Sequence, residues 1–359
     1  MEESTASIAR QVEEESKKKV KTSTPLSLTT GSVMLNLALS DRSDAGVDSG
    51  TFVNIVGDHS AGKTFLLWHM FAEAAYNKAF DKYDIYYDEP EVSLKINIPL
   101  LFGEKVEKRV KRSICSYTVQ DFHDNVMTLA QKGKPFILGL DSWDGLTSDE
   151  EIKKEAKKGG YMTEGATVSG RIFRKAMSKI SETNSYLIVI SQTRDNIGVM
   201  FGPSKTRSGG NAMHFWNSHE LWMAVASHMK RTYRSKEIDV GINARVAVKK
   251  NKLTGKLREA EFPIYFDFGI DDITSMINWM VSWKFWTVET IEETGDDGKP
   301  KKVKGAIDTK GDFISAKIGD LISHIESQKL VPKLTEIVSS RWREIEDAIS
   351  TGRKNKYQE

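Results

Sequence analysis

Gly57-Asp58-His59-Ser60-Ala61-Gly62-Lys63-Thr64 matches the spacing G-x-x-x-x-G-K-[ST] at every fixed position. Its flanks are those the motif requires. Residues 51–56 read as a short β-rich run, and residues 65–71 continue as a helix. Strand, glycine loop and helix start together make a phosphate cradle, because the first N–H groups of a helix lack partners within it and point at an incoming anion. Gly57 and Gly62 let the backbone turn its N–H groups inward without a Cβ clash. Asp58, His59, Ser60 and Ala61 span the loop between them. Lys63 is expected to bridge the β- and γ-phosphates of a nucleoside triphosphate, and Thr64 to place its hydroxyl on a magnesium ion. The flanks argue against a chance glycine turn.

Composition bounds the rest. At 359 residues the chain has room for one large core with an appendage, or for two domains. With 39% hydrophobic and 28% charged residues it is globular, which excludes disordered and fibrous classes. The formal net charge of +2 excludes a uniformly basic surface, so any nucleic-acid contact is expected on loops. A single cysteine, Cys115, excludes an intramolecular disulfide and fits a reducing compartment. Neither an apolar leader nor a run of membrane-spanning length is present in the sequence, so a cytoplasmic protein without a membrane partner is expected.

From the phosphate loop onward helical and strand-like segments alternate, the pattern of a parallel α/β sheet. The helix after the loop is expected to run to about Lys78. Residues 84–87 form the next strand and end at Asp88-Glu89-Pro90-Glu91, where acids stand at a strand's carboxyl end beside the loop and suit a water-activating base. A basic stretch and strand follow at 108–117 and a helix at 121–132. The apolar run 135–140 delivers Asp141, in the form of a Walker-B carboxylate for the magnesium shell beside Thr64. Residues 171–180 read as an amphipathic helix, and 185–192 as a buried strand ending in Gln192.

Between these elements lie the loops. Residues 143–165 carry Lys153, Lys154, Lys157, Lys158, Gly159 and Gly160, a solvated loop or one that approaches a phosphate backbone. Residues 193–211 combine glycines, basic residues and the apolar Ile197, Val199, Met200 and Phe201; the segment is expected to be neither strand nor helix. Long loops of this kind carry function. Apolar and cationic side chains on one loop suit insertion between bases together with phosphate contact.

At the termini, residues 1–22 alternate acidic and basic runs with a thin apolar stripe of Ile8, Val12 and Val20, either a frayed tail or an arm docking on a neighbouring subunit. A short amphipathic helix is expected near 34–39. Past 270, an apolar helix at 276–281, a strand at 283–288, a hairpin turn at 295–299 and helices at 313–325 and 334–349 make a small α+β appendage. Its Trp/Phe cluster reads as core rather than as a base-stacking platform.

The segment 190–215 resembles the second DNA-binding loop and flanks of the bacterial RecA recombinases. The resemblance is carried by Gln192, Ile197-Gly198-Val199-Met200-Phe201-Gly202 and Gly209-Gly210-Asn211-Ala212. Arg245-Val246, Lys250-Asn251-Lys252, Ala260-Glu261-Phe262 and Gly31-Ser32 extend it over roughly residues 28–270. The N-terminus and C-terminal third are more similar to phage recombinases of the UvsX type. This resemblance implies a RecA-like P-loop ATPase core (31–270) with a parallel-dominated central sheet, a short N-terminal helical oligomerisation arm (1–30) and a small α+β C-terminal domain (271–359).

It also implies roles. ATP and Mg2+ are the cofactors, held by Gly57 to Thr64 with Asp141 on the metal. The family's water-activating glutamate lies in an Asp-x-Glu; here the register leaves Glu89 or Glu91, with Glu91 favoured because Asp88 matches the aspartate. Gln192 resembles the γ-phosphate sensor. Lys250 and Lys252 resemble a lysine pair that reaches the phosphates across a subunit interface. Arg194, Lys205, Arg207 and the loop residues from Ile197 to Gly202 and from Gly209 to Asn211 resemble DNA contacts, and Lys153 to Gly160 fall where the family's first DNA loop lies. The implied activity is ATP-dependent strand exchange between single-stranded DNA and homologous duplex by a homo-oligomeric helical filament, with single-strand-binding and loader proteins as further partners, in a bacterial or phage-infected cytoplasm. The basic Arg353-Lys354-Asn355-Lys356 differs from the acidic tail of many bacterial members and argues against autoinhibition by such a tail. A ring helicase of the same superfamily and a nucleotide-gated mediator with slow hydrolysis are the alternatives.

Overall fold

A computed structural model describes residues 25–147, 164–195, 205–207, 210–294, 300–353 and 356–357. The apolar run before the phosphate loop forms the strand Thr51–Gly57 (β1), buried from Phe52 onward. A strand covered on both faces needs a continuous apolar run rather than an alternating one. Asp84–Asp88 (β2), Val110–Lys111 (β3), Phe136–Leu140 (β4) and Tyr186–Asp195 (β5) continue the same parallel array. Lys205–Arg207 (β6) turns back antiparallel on β5. His219–Tyr233 (β7) joins the other side of β1 in parallel, and Lys236–Asn251 (β8), Glu259–Tyr265 (β9) and Gly269–Ile270 (β10) extend the sheet antiparallel. The order is β10-β9-β8-β7-β1-β5-β4-β2-β3, an α/β sheet whose centre is parallel as expected.

Side chains alternate across this sheet with the strand period. Val53 and Ile55 of β1, Ile137 of β4 and Ile188 of β5 join the cluster on one face; Phe52, Leu138 and Leu187 join the cluster on the other. The first face is covered by Val33–Ser40 (α1) and Lys63–Tyr76 (α2), the second by Val119–Gln131 (α3) and Glu164–Glu182 (α4). Thr118 and Asp121 form a capping box that starts α3. Register aligns the carboxyl ends: Gly57 faces Gln192, and Asp88 faces Leu140, the residue before Asp141.

Several expectations are corrected here. α1 is buried all round rather than amphipathic, since it is packed between β9 and the C-terminal helices. α2 ends at Tyr76, where Asn77 turns extended and caps a short 3-10 turn. Of 108–117 only Val110–Lys111 pairs as strand, because Glu104–Arg109 is helical. The stretch 193–211 is partly regular: β5 runs on to Asp195, β6 pairs with that extension, and Gly210–Trp216 is a helix (α5).

Beyond the sheet, Asp272–Ser282 (α6), the hairpin of Thr287–Thr294 (β11) with Pro300–Asp308 (β12), Ile318–Ser327 (α7) and Val331–Ile349 (α8) give the expected α+β content. The strand begins at Thr287 rather than at 283, because the N–H groups of Phe285 and Trp286 both donate to Met280 and finish α6 instead. α7 starts at Ile318 because an Ile307–Ala316 bridge prolongs the hairpin first. Trp286 is buried as core and donates to Asp312 at 2.8 Å. Trp342 of α8 donates to Asp41 at 3.1 Å, beside the Lys256–Asp41 and Lys256–Glu346 pairs at 2.7 Å, so α8 packs on the sheet's own hydrophobic cluster. Among the described residues no helix is long and apolar enough to cross a membrane. Residues 1–24 of the N-terminal arm, the Lys153–Gly160 loop, the hairpin turn 295–299 and the tail residues Lys354 and Asn355 lie outside the described residues.

Candidate nucleotide cleft

The carboxyl ends of β1, β2, β4 and β5 open on a cleft of about 400 Å³, lined by His59 to Phe65, Tyr87, Glu89, Glu91, Asp141, Ser142 and Gln192. Its floor is the glycine loop. Gly62 holds φ +90, a conformation L side chains rarely adopt, and a Cβ there would lie 2.5 Å from Ile264 Cδ1. At Gly57 a Cβ would meet the Met223 carbonyl oxygen at 2.5 Å, so Gly62 is demanded by its positive φ and Gly57 by close packing against backbone. Lys63 is 8% exposed, and its ammonium donates to the carbonyls of Gly57 at 2.9 Å and Asp58 at 2.6 Å. Burial pushes its pKa down, while the charges of Asp141, Asp144, Asp58 and Glu91 oppose that shift.

Opposite the lysine, the Thr64 hydroxyl donates to Asp141 Oδ2 at 2.7 Å, and the Tyr87 hydroxyl donates to the same oxygen at 3.1 Å. Burial raises the Asp141 pKa, the two hydroxyl donors lower it, and Glu89 and Glu91 raise it further. A hydroxyl and a carboxylate oxygen in contact, facing a buried ammonium, form the donor set that a magnesium triphosphate needs: few protein ligands on the metal, with phosphates supplying the rest. The residues present fit that group.

The two candidate glutamates have different surroundings. Glu89 Oε1 accepts from the Ser93 N–H at 2.7 Å and from the Leu94 N–H, so its carboxylate closes the turn after β2. Glu91 Oε1 accepts from the Ser142 hydroxyl at 2.8 Å, directly after Asp141. Asp88 faces away: buried, it takes the Ser116 N–H at 2.8 Å and the Ser116 hydroxyl at 2.5 Å and thereby fixes the end of β2.

Gln192 lies on the cleft wall within β5, in register with Gly57. Its N–H donates to Asp144 Oδ2 at 2.8 Å. Arg194 stands two residues further, 66% exposed, 3.6 Å from Asp144. Lys205 and Arg207 belong to β6, paired with Asp195 and Thr193, and Gly210 and Asn211 open α5. Ile197, Gly198, Val199, Met200, Phe201, Gly202 and Gly209 lie outside the described residues. Lys250 and Lys252 are not brought to this cleft. Lys250 pairs in register with Glu220, which faces Asn54, whereas the loop's Gly57 faces Met223 further along β7. The Lys250 ammonium donates to the carbonyls of His214 and of Phe215 (3.3 Å), at the end of α5.

Sequence reasoning missed Tyr87, Ser142 and Asp144. Tyr87 lies 54 residues from Asp141, and no spacing rule connects them. Ser142 and Asp144 follow Asp141 so closely that the sharp turn after β4 is their signal in retrospect. A larger groove of about 670 Å³ runs beside Trp279, Trp283 and Trp342, and none of the expected site residues lines it.

Comparison with known proteins gives the following. The family described as RecA N-terminal domain matches residues 4–271. The chain is 30% identical over 253 residues to Protein RecA of Bartonella bacilliformis, covering 70% of this chain and 68% of that protein. It is 32% identical over 259 residues to Protein RecA of a Caulobacter species (70% and 67% covered). With Protein RecA of Colwellia psychrerythraea it shares 30% identity over 260 residues (72% and 71% covered).

Proposed function

The chain belongs to the RecA family, and from that premise we propose that it is an ATP-dependent DNA strand-exchange protein that assembles as a helical filament on single-stranded DNA. The observation that carries this reading is the cleft itself. Lys63, the Thr64–Asp141 contact and the Glu91–Ser142 contact converge at the carboxyl ends of the central parallel strands, and β5 continues from Gln192 on the cleft wall to Arg194. In this reading Gly57 to Thr64 hold ATP, Thr64 and Asp141 hold Mg2+, and Glu91 activates water, because Glu89 is occupied by the turn it closes. Magnesium, when bound, neutralises charge developing on the transferred phosphoryl group. The protein's own part is to position and to supply charge.

Lys250 and Lys252 serve the cleft of a neighbouring copy. The place of Lys250 near the far end of β8, with Lys252 just beyond that strand, supports this, since a lysine remote from its own cleft can reach a cleft only in trans. Arg194, Lys205, Arg207 and the loop from Ile197 to Asn211 contact single-stranded DNA, a homologous duplex is the second substrate, and single-strand-binding and loader proteins act alongside. The division into arm (1–30), core (31–270) and C-terminal domain (271–359), the cytoplasmic setting and a phage origin belong to the same proposal.

The deciding experiment is electron microscopy of the full chain on single-stranded DNA with a slowly hydrolysed ATP analogue. Continuous helical filaments that vanish without nucleotide are expected. Closed rings would favour a helicase instead, and isolated particles a nucleotide-gated mediator.

A further inference from the structure

Period-two alternation sends the two tyrosines of β2 to opposite faces of the sheet. Tyr86 joins the cluster under α3 and α4, and Tyr87 the one under α1 and α2. Tyr87 is 2% exposed, its ring centroid 5.0 Å from that of Trp68 and 6.3 Å from that of Phe71. A phenylalanine would fill that space equally well, so packing gives no reason for the hydroxyl. That hydroxyl donates to Asp141 Oδ2 at 3.1 Å, the oxygen that Thr64 meets at 2.7 Å. One residue on, the Asp88 carbonyl accepts the Asp141 N–H at 2.9 Å. Two consecutive residues of β2 thus hold Asp141, one by its side chain and one by its backbone. We propose that Tyr87 is a positioning residue for magnesium: its hydroxyl fixes the Asp141 carboxylate where, with Thr64, it receives the ion.

This role rests on the reading of Thr64 and Asp141 as the magnesium site. Asp141 follows the last residue of β4, and its charge acts on the Lys63 ammonium. Left to that attraction, the carboxylate would turn onto Lys63 and occupy the cation that the phosphates need. Thr64 alone is a weak restraint, since its oxygen must also serve the metal. Tyr87 serves the carboxylate alone. It comes from β2 and Thr64 from α2, so two separate elements hold one oxygen. Register brings the partners together: Tyr87 faces Gly139 on β4, two residues before Asp141 and so on the same face. A phenol, with an ordinary pKa of about 10, keeps its proton at working pH and donates throughout. An outer partner of this kind orients a metal-binding group, and its loss typically costs about 10- to 100-fold in metal affinity.

The test titrates a fluorescent ATP analogue onto the full chain, over a series of magnesium concentrations and in chelator. Tyr87→Phe keeps the ring contacts and should weaken magnesium-dependent binding by about 10- to 100-fold, with affinity in chelator at the wild-type level. Ser116→Ala is the matched control, because it removes another hydroxyl–carboxylate bond from the end of β2, the one to Asp88. It should lower the melting temperature yet keep the wild-type magnesium dependence. Wild-type magnesium dependence in Tyr87→Phe overturns the proposal and leaves the functional reading standing. So does an equal loss with and without magnesium, or a matching loss in Ser116→Ala. A wild-type chain whose triphosphate binding ignores magnesium overturns both.

Discussion

Replacing Glu91 and Glu89 by glutamine, one at a time, separates a water-activating carboxylate from a structural one. Glu91 accepts the Ser142 hydroxyl at 2.8 Å, and a glutamine carbonyl oxygen can take the same bond, so Glu91→Gln removes the proposed base and leaves the turn intact. A positioned general base contributes about 10²- to 10⁴-fold. At 1.36 kcal/mol per factor of ten, the barrier rises by roughly 3–5 kcal/mol. Glu89 takes the Ser93 N–H at 2.7 Å and the Leu94 N–H, charge-assisted bonds that a neutral amide accepts more weakly. Because that turn reaches solvent, Glu89→Gln should cost about 1 kcal/mol of stability and leave turnover within an order of magnitude. The assay is phosphate release at saturating ATP and single-stranded DNA, with a fluorescent triphosphate to verify binding and a thermal melt to read stability. Collapse of Glu89→Gln turnover beside an active Glu91→Gln would refute the assignment and the geometry behind it.

Two further outcomes are expected. Lys250→Ala combined with Lys252→Ala should lose DNA-stimulated hydrolysis while retaining ATP binding, and unchanged turnover would sink their action in trans. Burial pushes Asp272 up to about 7, against the Val33 N–H it accepts at 2.8 Å and with Glu73 and Asp271 adding repulsion. With the folded pKa above the unfolded one, the contribution to stability is complete below about pH 4 and is lost as pH rises through about 7. Asp272→Asn should therefore flatten the pH dependence and raise the melting temperature at pH 8 but not at pH 4, with a gain of at most about 4 kcal/mol, reduced by the side chain's partial solvent contact. Equal melting shifts at both pH values would contradict this.

Much of the sheet was legible because its strands are short apolar runs bounded by polar ends, and a parallel strand buried on both faces has no other way to be written. The phosphate loop was legible for a related reason. Its glycines answer backbone demands that no other residue meets: Gly62 at φ +90, and Gly57 against the Met223 carbonyl. Where local pattern competed with tertiary packing, it failed. The Trp283–Trp286 stretch looks like a strand but closes α6, since the Met280 carbonyl is there to be satisfied. α1 looks amphipathic only until the C-terminal helices cover its other side.

The sequence by itself determined the chemistry available: an ammonium, a hydroxyl and one carboxylate at motif spacing, with two glutamates nearby. Only the tertiary structure decided between partners. Glu89 turns to the Ser93 and Leu94 amides while Glu91 meets Ser142, and Lys250 and Lys252 end at the far side of β8 from their own cleft. It also disclosed that Asp58 and Asp144 hold the strand leading to Arg194. The physical reason is that motif spacing encodes backbone conformation over a few residues. A hydrogen bond between side chains 135 positions apart, as between Asp58 and Thr193, depends on strand order and register, which no local pattern carries.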